Sequence, residues 1–205
     1  MKVLVINSGS SSLKYKLFDL AGPRAICAGL VERIGSPESS LTHTLYADPG
    51  PGERTEMFEC FEDHTQAIEK VAALLMTGDD PLVRSAEELA AIGHRVAQGG
   101  ELFKENCIVD AKAIEGIRKN IVLAPLHNPA NLAGIEAAMA NFPGVPSVAV
   151  FDTLFASRLP DYVYRYACPT LITQNIKSGG TDSMAPPMPM SPKRLPVSWE
   201  NLYMS

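Results

Sequence analysis

Four short stretches of this chain carry side chains suited to gripping anions. The first is N-S-G-S-S-S-L-K, from Asn7 to Lys14. Gly9 lets the backbone approach a ligand closely, and the hydroxyls of Ser10, Ser11 and Ser12, with the free N–H groups of a turn, can hold phosphate oxygens. Asn7 and Lys14 bracket the turn with an amide oxygen and a cation. Plain Ser/Gly turns are common, so the turn alone leaves a phosphate cradle and an ordinary hairpin about level. The second stretch, G-H-R-V-A-Q-G-G, sets Arg95 among glycines. A guanidinium there binds a carboxylate or phosphate through two bonds, the alternative being pairing with a structural acid. Its neighbour His94 reads as structural.

The third stretch is L-A-P-L-H-N-P-A-N, Leu123 to Asn131. Two prolines stiffen a loop around His127, and Asn128 or Asn131 can start the next helix. Taken alone, His127 reads equally as a satisfied core histidine. The fourth, V-A-V-F-D-T-L-F, ends an apolar run in Asp152. An acid at the carboxyl end of a strand is where α/β sheets present groups to ligands, whereas the bland role is capping the next turn.

These residues need elements to position them. Val3 to Ile6 and the alternating run Tyr15, Leu17, Leu20 read as two strands joined by the serine turn, and Ala25 to Ile34 as a third. Leu41 to Tyr46 pairs with Met57 to Phe61 across a polar loop from Asp48 to Glu53. His64 to Met76 places Ile68, Val71, Ala72 and Leu75 on one helical face, ended by Gly78 and Asp79. Ile92 to Val96 and Val145 to Phe151 are buried strands, while Asp110 to Lys119 and Asn131 to Asn141 are helices. Strands first, then alternating strand and helix, predict an α/β domain built on a mixed sheet with flanking helices.

Composition narrows the function classes. With 46% hydrophobic residues among 205, the chain can bury a core. A net charge of −5, from 18 basic and 23 acidic residues, offers no basic footprint for nucleic acid. Cys27, Cys60, Cys107 and Cys168 form no C-x-x-C pair, which fits a reduced, cytoplasmic protein. The polar start excludes a signal peptide and no apolar run approaches membrane-spanning length, so no membrane partner is expected. The loop is not a Walker motif either, because G-x-x-x-x-G-K-[ST] is absent and a strand follows.

The turn V-L-V-I-N-S-G-S-S-S-L-K closely resembles the amino-terminal signature of acetate kinases, within the superfamily of acetate and sugar kinases and actin. The Arg95, His127 and Asp152 blocks resemble that family's internal motifs in the same order. The resemblance implies a ribonuclease-H-like (actin-like ATPase) fold, with ATP and Mg2+ (or Mn2+) as co-substrate and cofactor. It implies transfer of the γ-phosphoryl group of ATP to acetate, giving acetyl phosphate and ADP; propionate or butyrate is the alternative acceptor. By resemblance, Arg95 contacts acetate or acetyl phosphate and His127 donates to the transferring phosphoryl group. Asp152 orients the magnesium-bound reactants or manages a proton, Asn7 helps hold the metal, Lys14 contacts nucleotide phosphates, and Ser10, Ser11 and Ser12 line the phosphate path. Family members read F-D-T-A-F-H where this chain has Leu154 and Ala156, so the Asp is kept and a histidine is not.

The resemblance covers residues 1–168. Full-length members are homodimers about twice as long, and their second half supplies the adenosine pocket, a second active-site arginine, another histidine and a glutamate for magnesium. The second domain is therefore expected to be missing here, and the counter-reading to a kinase is an inactive fragment that binds phosphate or carboxylate weakly. From Pro169 the character changes: the last 37 residues hold six of 16 prolines and four of eight methionines. Disordered Pro-rich tails have such composition. A frameshift is the favoured reading of residues 169–205. Permissible codons for Ser178 to Leu202, read from their third bases, spell R-R-Y-G-F-H-G-T-S-H-A-Y-V-A-K-A-A-A-G-F-L-G-K-P, which strongly resembles the family's continuation.

Overall fold

The computed structural model describes residues 1–22, 24–46 and 52–154; they fall within a compact unit spanning Met1–Arg158. The boundary expected at residues 168–169, and the tail beyond it, lie outside the described residues. In chain order come β1 (Lys2–Ser8), β2 (Ser12–Asp19), β3 (Arg24–Glu32), β4 (Ser40–Leu45), β5 (Glu53–Phe58) and α1 (His64–Met76). There follow β6 (Leu89–Val96), β7 (Cys107–Ile108), α2 (Ala111–Lys119), α3 (Asn128–Asn141) and β8 (Ser147–Phe151). The strands form one mixed sheet in the order β5-β4-β3-β2-β1-β6-β8-β7. β1 to β5 are an antiparallel meander, and β6 and β8 run parallel to β1.

Period-two alternation decides which face each strand buries. Leu4 and Ile6 on β1 and Leu13, Tyr15 and Leu17 on β2 join Ile68, Val71 and Leu75 of α1 in one core. Val96, Ala149 and Phe151 join Ala113 and Ile117 of α2 in a second. α3 sits between the two: Ala137 and Ala138 belong to the first core, Leu132 and Ile135 to the second. An alanine-rich helix suits that position, since it must approach the sheet closely and bury several sides at once.

Local chemistry starts and ends these helices. The Asp63 carboxylate accepts from the Gln66 N–H at 3.0 Å and Asp110 from Ala113 at 2.8 Å, each satisfying an orphan donor of the first turn. Arg118 and Lys119 in the last turn of α2 complement its dipole. α3 begins at Asn128, three residues before the expected Asn131, because Pro129 has the φ of a first-turn residue. The cap position is His127, with no side-chain cap, and Asn128 and Asn131 bond elsewhere. The two-residue β7 and the 3₁₀ turns at Ala86–Glu88 and Asn120–Val122 were not foreseen.

His94 is the buried structural histidine expected of it. It is 2% exposed, lies 3.3 Å from Ser147 Oγ, and burial pushes its pKa down to about 4. In the unfolded chain the ring protonates near the ordinary histidine value, while in the fold it stays neutral. Stability from His94 is therefore present above that value and is lost as pH falls towards 4. Burial lowers the His43 pKa as well and adds in the same sense. We expect urea unfolding free energy to fall by roughly 2–3 kcal/mol between pH 7 and pH 4.5 on this account. His94→Asn should flatten that slope; an unchanged slope would count against the assignment.

Candidate active site

The parallel strands β1, β6 and β8 end at one edge of the sheet, and their last residues meet there. Asn7, Arg95 and Asp152 come from the three ends, 57 and 88 positions apart in sequence along the Arg95–Asp152 and Arg95–Asn7 bonds. Arg95 Nε donates to Asp152 Oδ1 at 3.2 Å, Nη2 lies 2.5 Å from Oδ2, and Nη1 donates to Asn7 Oδ1 at 3.3 Å. Two of the five guanidinium N–H groups, one on each terminal nitrogen, are left over by these three bonds. They form the fork that a carboxylate or phosphate can occupy. Arg95 is thus paired to an acid, the alternative raised for it, and the pairing leaves two of its N–H groups over.

Asp152 is about one-third exposed at its side chain. Burial pushes its pKa up, and the charges of Arg95 and His127 pull it back. His127 is exposed at the start of α3, close enough for its charge to act on Asp152.

The serine turn closes the same edge. Gly9 N–H donates to Ser12 O at 2.7 Å, and Ser11 O accepts from Ile34 N–H at 3.0 Å. Ser10 and Ser11 are exposed at the tip, and Ser12 is half-buried. Lys14 is exposed and stands directly opposite Asn7 in the β1–β2 register, on the same face of the sheet. All eight residues singled out from sequence therefore lie along one edge, with Asn7, Arg95 and Asp152 in direct contact and the serines and Lys14 on the adjoining hairpin.

Sequence reasoning missed the groups that hold this edge and those that hold the Gln98–Gly99 loop beside it. His64, the first residue of α1, places Nε2 2.6 Å from Gly9 O and must donate to that carbonyl. Asn128 grips Gln98 at both ends, accepting from its N–H at 3.1 Å and donating to its carbonyl at 2.9 Å. Asn120 Nδ2 donates to Gly99 O at 2.7 Å, and Thr153 Oγ1 accepts from Gly99 N–H at 3.1 Å. The available signal was the asparagine pair in H-N-P-A-N, which suggested capping; buried amides instead satisfied the irregular loop after Arg95.

The site's oxygen donors suit a hard cation only in part. Asn7 Oδ1 and the Asp152 carboxylate both already face Arg95, and no group of three or more His, Cys, Asp or Glu side chains able to hold a metal occurs among the described residues. That chemistry fits magnesium carried mainly by phosphates and water rather than a caged ion.

The acetokinase family model matches residues 2–180, most of the chain. The chain belongs to the acetokinase family. Acetate kinase of Desulfovibrio desulfuricans is 44% identical over 177 residues, which are 86% of this chain and 44% of that protein. The crystal structure of Porphyromonas gingivalis acetate kinase superposes with a TM-score of 0.77 at 40% identity, over 85% of this chain and 43% of that one. A propionate kinase structure from Francisella tularensis gives 0.72 at 32% identity, covering 86% and 43%. The fold is that of these kinases, an actin-like ATPase architecture, and the chain spans about two-fifths of the length of the relatives it matches. The family match runs twelve residues past the boundary read at residue 168. No helix among the described residues is long and apolar enough to cross a membrane.

Proposed function

We propose that this chain is the amino-terminal portion of an acetate kinase and provides the acyl and phosphoryl half of its active site. The observation that carries this reading is the Asn7–Arg95–Asp152 contact at one sheet edge, beside the serine turn. In the proposed reaction an acetate oxygen bonds to the γ-phosphorus of ATP and the bond to the β,γ-bridging oxygen breaks. Acetyl phosphate and ADP result, with no net proton to move. A carboxylate is nucleophile enough, so the work is to bring two anions into line and neutralise their charge.

Arg95 takes the acetate carboxylate on its free fork while Asp152 holds the guanidinium still. His127 and the turn N–H groups face the transferring phosphoryl oxygens, and Lys14 the nucleotide phosphates. Magnesium, or manganese, would neutralise phosphate charge, with Asn7 and Asp152 as the available protein oxygens. Because the relatives are more than twice as long, the adenosine pocket is assigned to chain beyond this span.

A coupled assay of the purified chain with acetate, ATP and magnesium tests the reading, with propionate and butyrate run beside it because a propionate kinase has the same fold. The expected result for this chain alone is acetyl phosphate binding without sustained turnover. Turnover would overturn the fragment reading, and absence of both binding and turnover would overturn the kinase reading. A frameshift is proposed within residues 169–205, and the DNA across codons 165 to 205 decides it: an offset frame lacking R-R-Y-G-F-H-G-T-S-H removes the idea.

A further inference from the structure

Asn131 stands where two parts of the site would otherwise be independent. Its Oδ1 accepts from the Ala97 N–H at 3.0 Å, two residues after Arg95, and its Nδ2 donates to the Ser8 carbonyl at 2.6 Å, at the threshold of the serine turn. The side chain is 2% exposed, and α3 carries it. One turn further along the same helix, Gly134 lies against Ser8 so tightly that a Cβ there would overlap Ser8 Oγ. Ser8 is 3% exposed, and its buried hydroxyl has no hydrogen-bond partner. α3 therefore holds the end of β1 at two points, through a bond and through shape, and holds the end of β6 through the same amide.

We infer that Asn131 is a positioning residue that fixes the spacing between the phosphate turn and Arg95. Both its bonds go to backbone at strand ends, where ladder hydrogen bonding stops and the chain would otherwise choose its own path. A buried amide with donor and acceptor both engaged has one orientation, so the two strand ends move together or not at all. In-line transfer between two bound anions needs that fixed distance, since small misplacements of reacting groups are costly. Asn128 bonds Gln98 and the Asn120 carbonyl, Asn120 bonds Gly99, and neither side chain bonds the serine turn. Asn131 alone among the three asparagines reaches both sides.

The inference rests on the proposed reading of the turn as a phosphate cradle, and the test separates the two. In the full 205-residue chain, Asn131→Ala is compared with Asn120→Ala, which removes an amide of similar burial that does not touch β1. Amide hydrogen exchange, with no ligand present, should rise about tenfold or more at Ser8–Ser12 in Asn131→Ala and stay within about twofold of the parent in Asn120→Ala. Titration with inorganic phosphate, followed at the Gly9–Ser12 amides, should show affinity about tenfold weaker in Asn131→Ala and unchanged in Asn120→Ala. Equal loosening of the turn in both variants, or in neither, overturns the inference by making Asn131 an ordinary core amide. If the parent turn ignores phosphate while the exchange contrast persists, the cradle reading fails and the linkage stands. Should Asn131→Ala not fold, Asn131→Ser is read in the same two ways.

Discussion

Gly29→Ala is expected to destabilise the fold by about 3–5 kcal/mol and to lower Tm by roughly 10 °C, the scale of losing a buried aromatic ring. Gly29 lies opposite Tyr15 in the β2–β3 register, and the Tyr15 ring crosses directly over it. A Cβ at Gly29 would overlap ring carbons Cε1 and Cζ and the phenol oxygen. Tyr15 is fully buried, and its hydroxyl is tied to His43 Nδ1 on β4 at 2.5 Å. Burial holds the phenol protonated and the imidazole neutral, so the hydroxyl donates and the ring nitrogen accepts. The ring cannot swing aside without breaking that bond and opening a void under α1. In a Tyr15→Leu background the same Gly29→Ala change should cost less than about 1 kcal/mol. Equal costs with and without the ring would show that steric overlap is not the cause.

Arg95→Ala is expected to reduce phosphoryl transfer by about 10³-fold in the chain completed to full family length, the scale of removing a preorganised charged donor. It removes the fork proposed for acetate and also one of the two cations that oppose the burial-driven rise of the Asp152 pKa. The Asp152 carboxyl, followed by carbon NMR in the 205-residue chain, should then titrate at higher pH than in the parent. Arg95→Lys should return much of the Asp152 shift and little of the activity, since an ammonium restores charge without the planar fork. A variant that loses activity with Asp152 unmoved would place Arg95 outside the contact described here. Activity within about tenfold of the parent would remove Arg95 from acetate binding.

Much of the fold is legible because its signals are local. α1 spans His64–Met76 as its apolar face and the Asp63 cap dictate. The β4–β5 pairing follows from two runs across a Pro/Gly loop, but β5 is Glu53–Phe58 rather than the expected Met57–Phe61. Glu53, expected in the loop, pairs with Leu45, because backbone pairing with β4 extends the strand through polar residues that show no apolar alternation. β7 has no such signal, since two residues cannot display a period, and it exists only because β8 offers an open edge. Of the two asparagines offered as the start of α3, the helix begins at Asn128; Asn131 looks like a cap in sequence, while in the fold its amide is claimed by two backbone groups from distant strands.

The residues of the site divide in the same way. Sequence by itself determined the residue types and their motifs: a serine turn that can hold phosphate, an arginine at a strand end, a histidine in a stiff loop, an acid closing an apolar run. Those properties belong to single segments, where spacing and side-chain chemistry are enough. Only the tertiary structure decided that Arg95 is shared between Asn7 and Asp152, and that Asn131 ties the turn to the strand carrying that arginine. The physical reason is sheet order. Placing β6 between β1 and β8, all parallel, brings three strand ends to one edge, and no local pattern in the chain encodes which strands become neighbours.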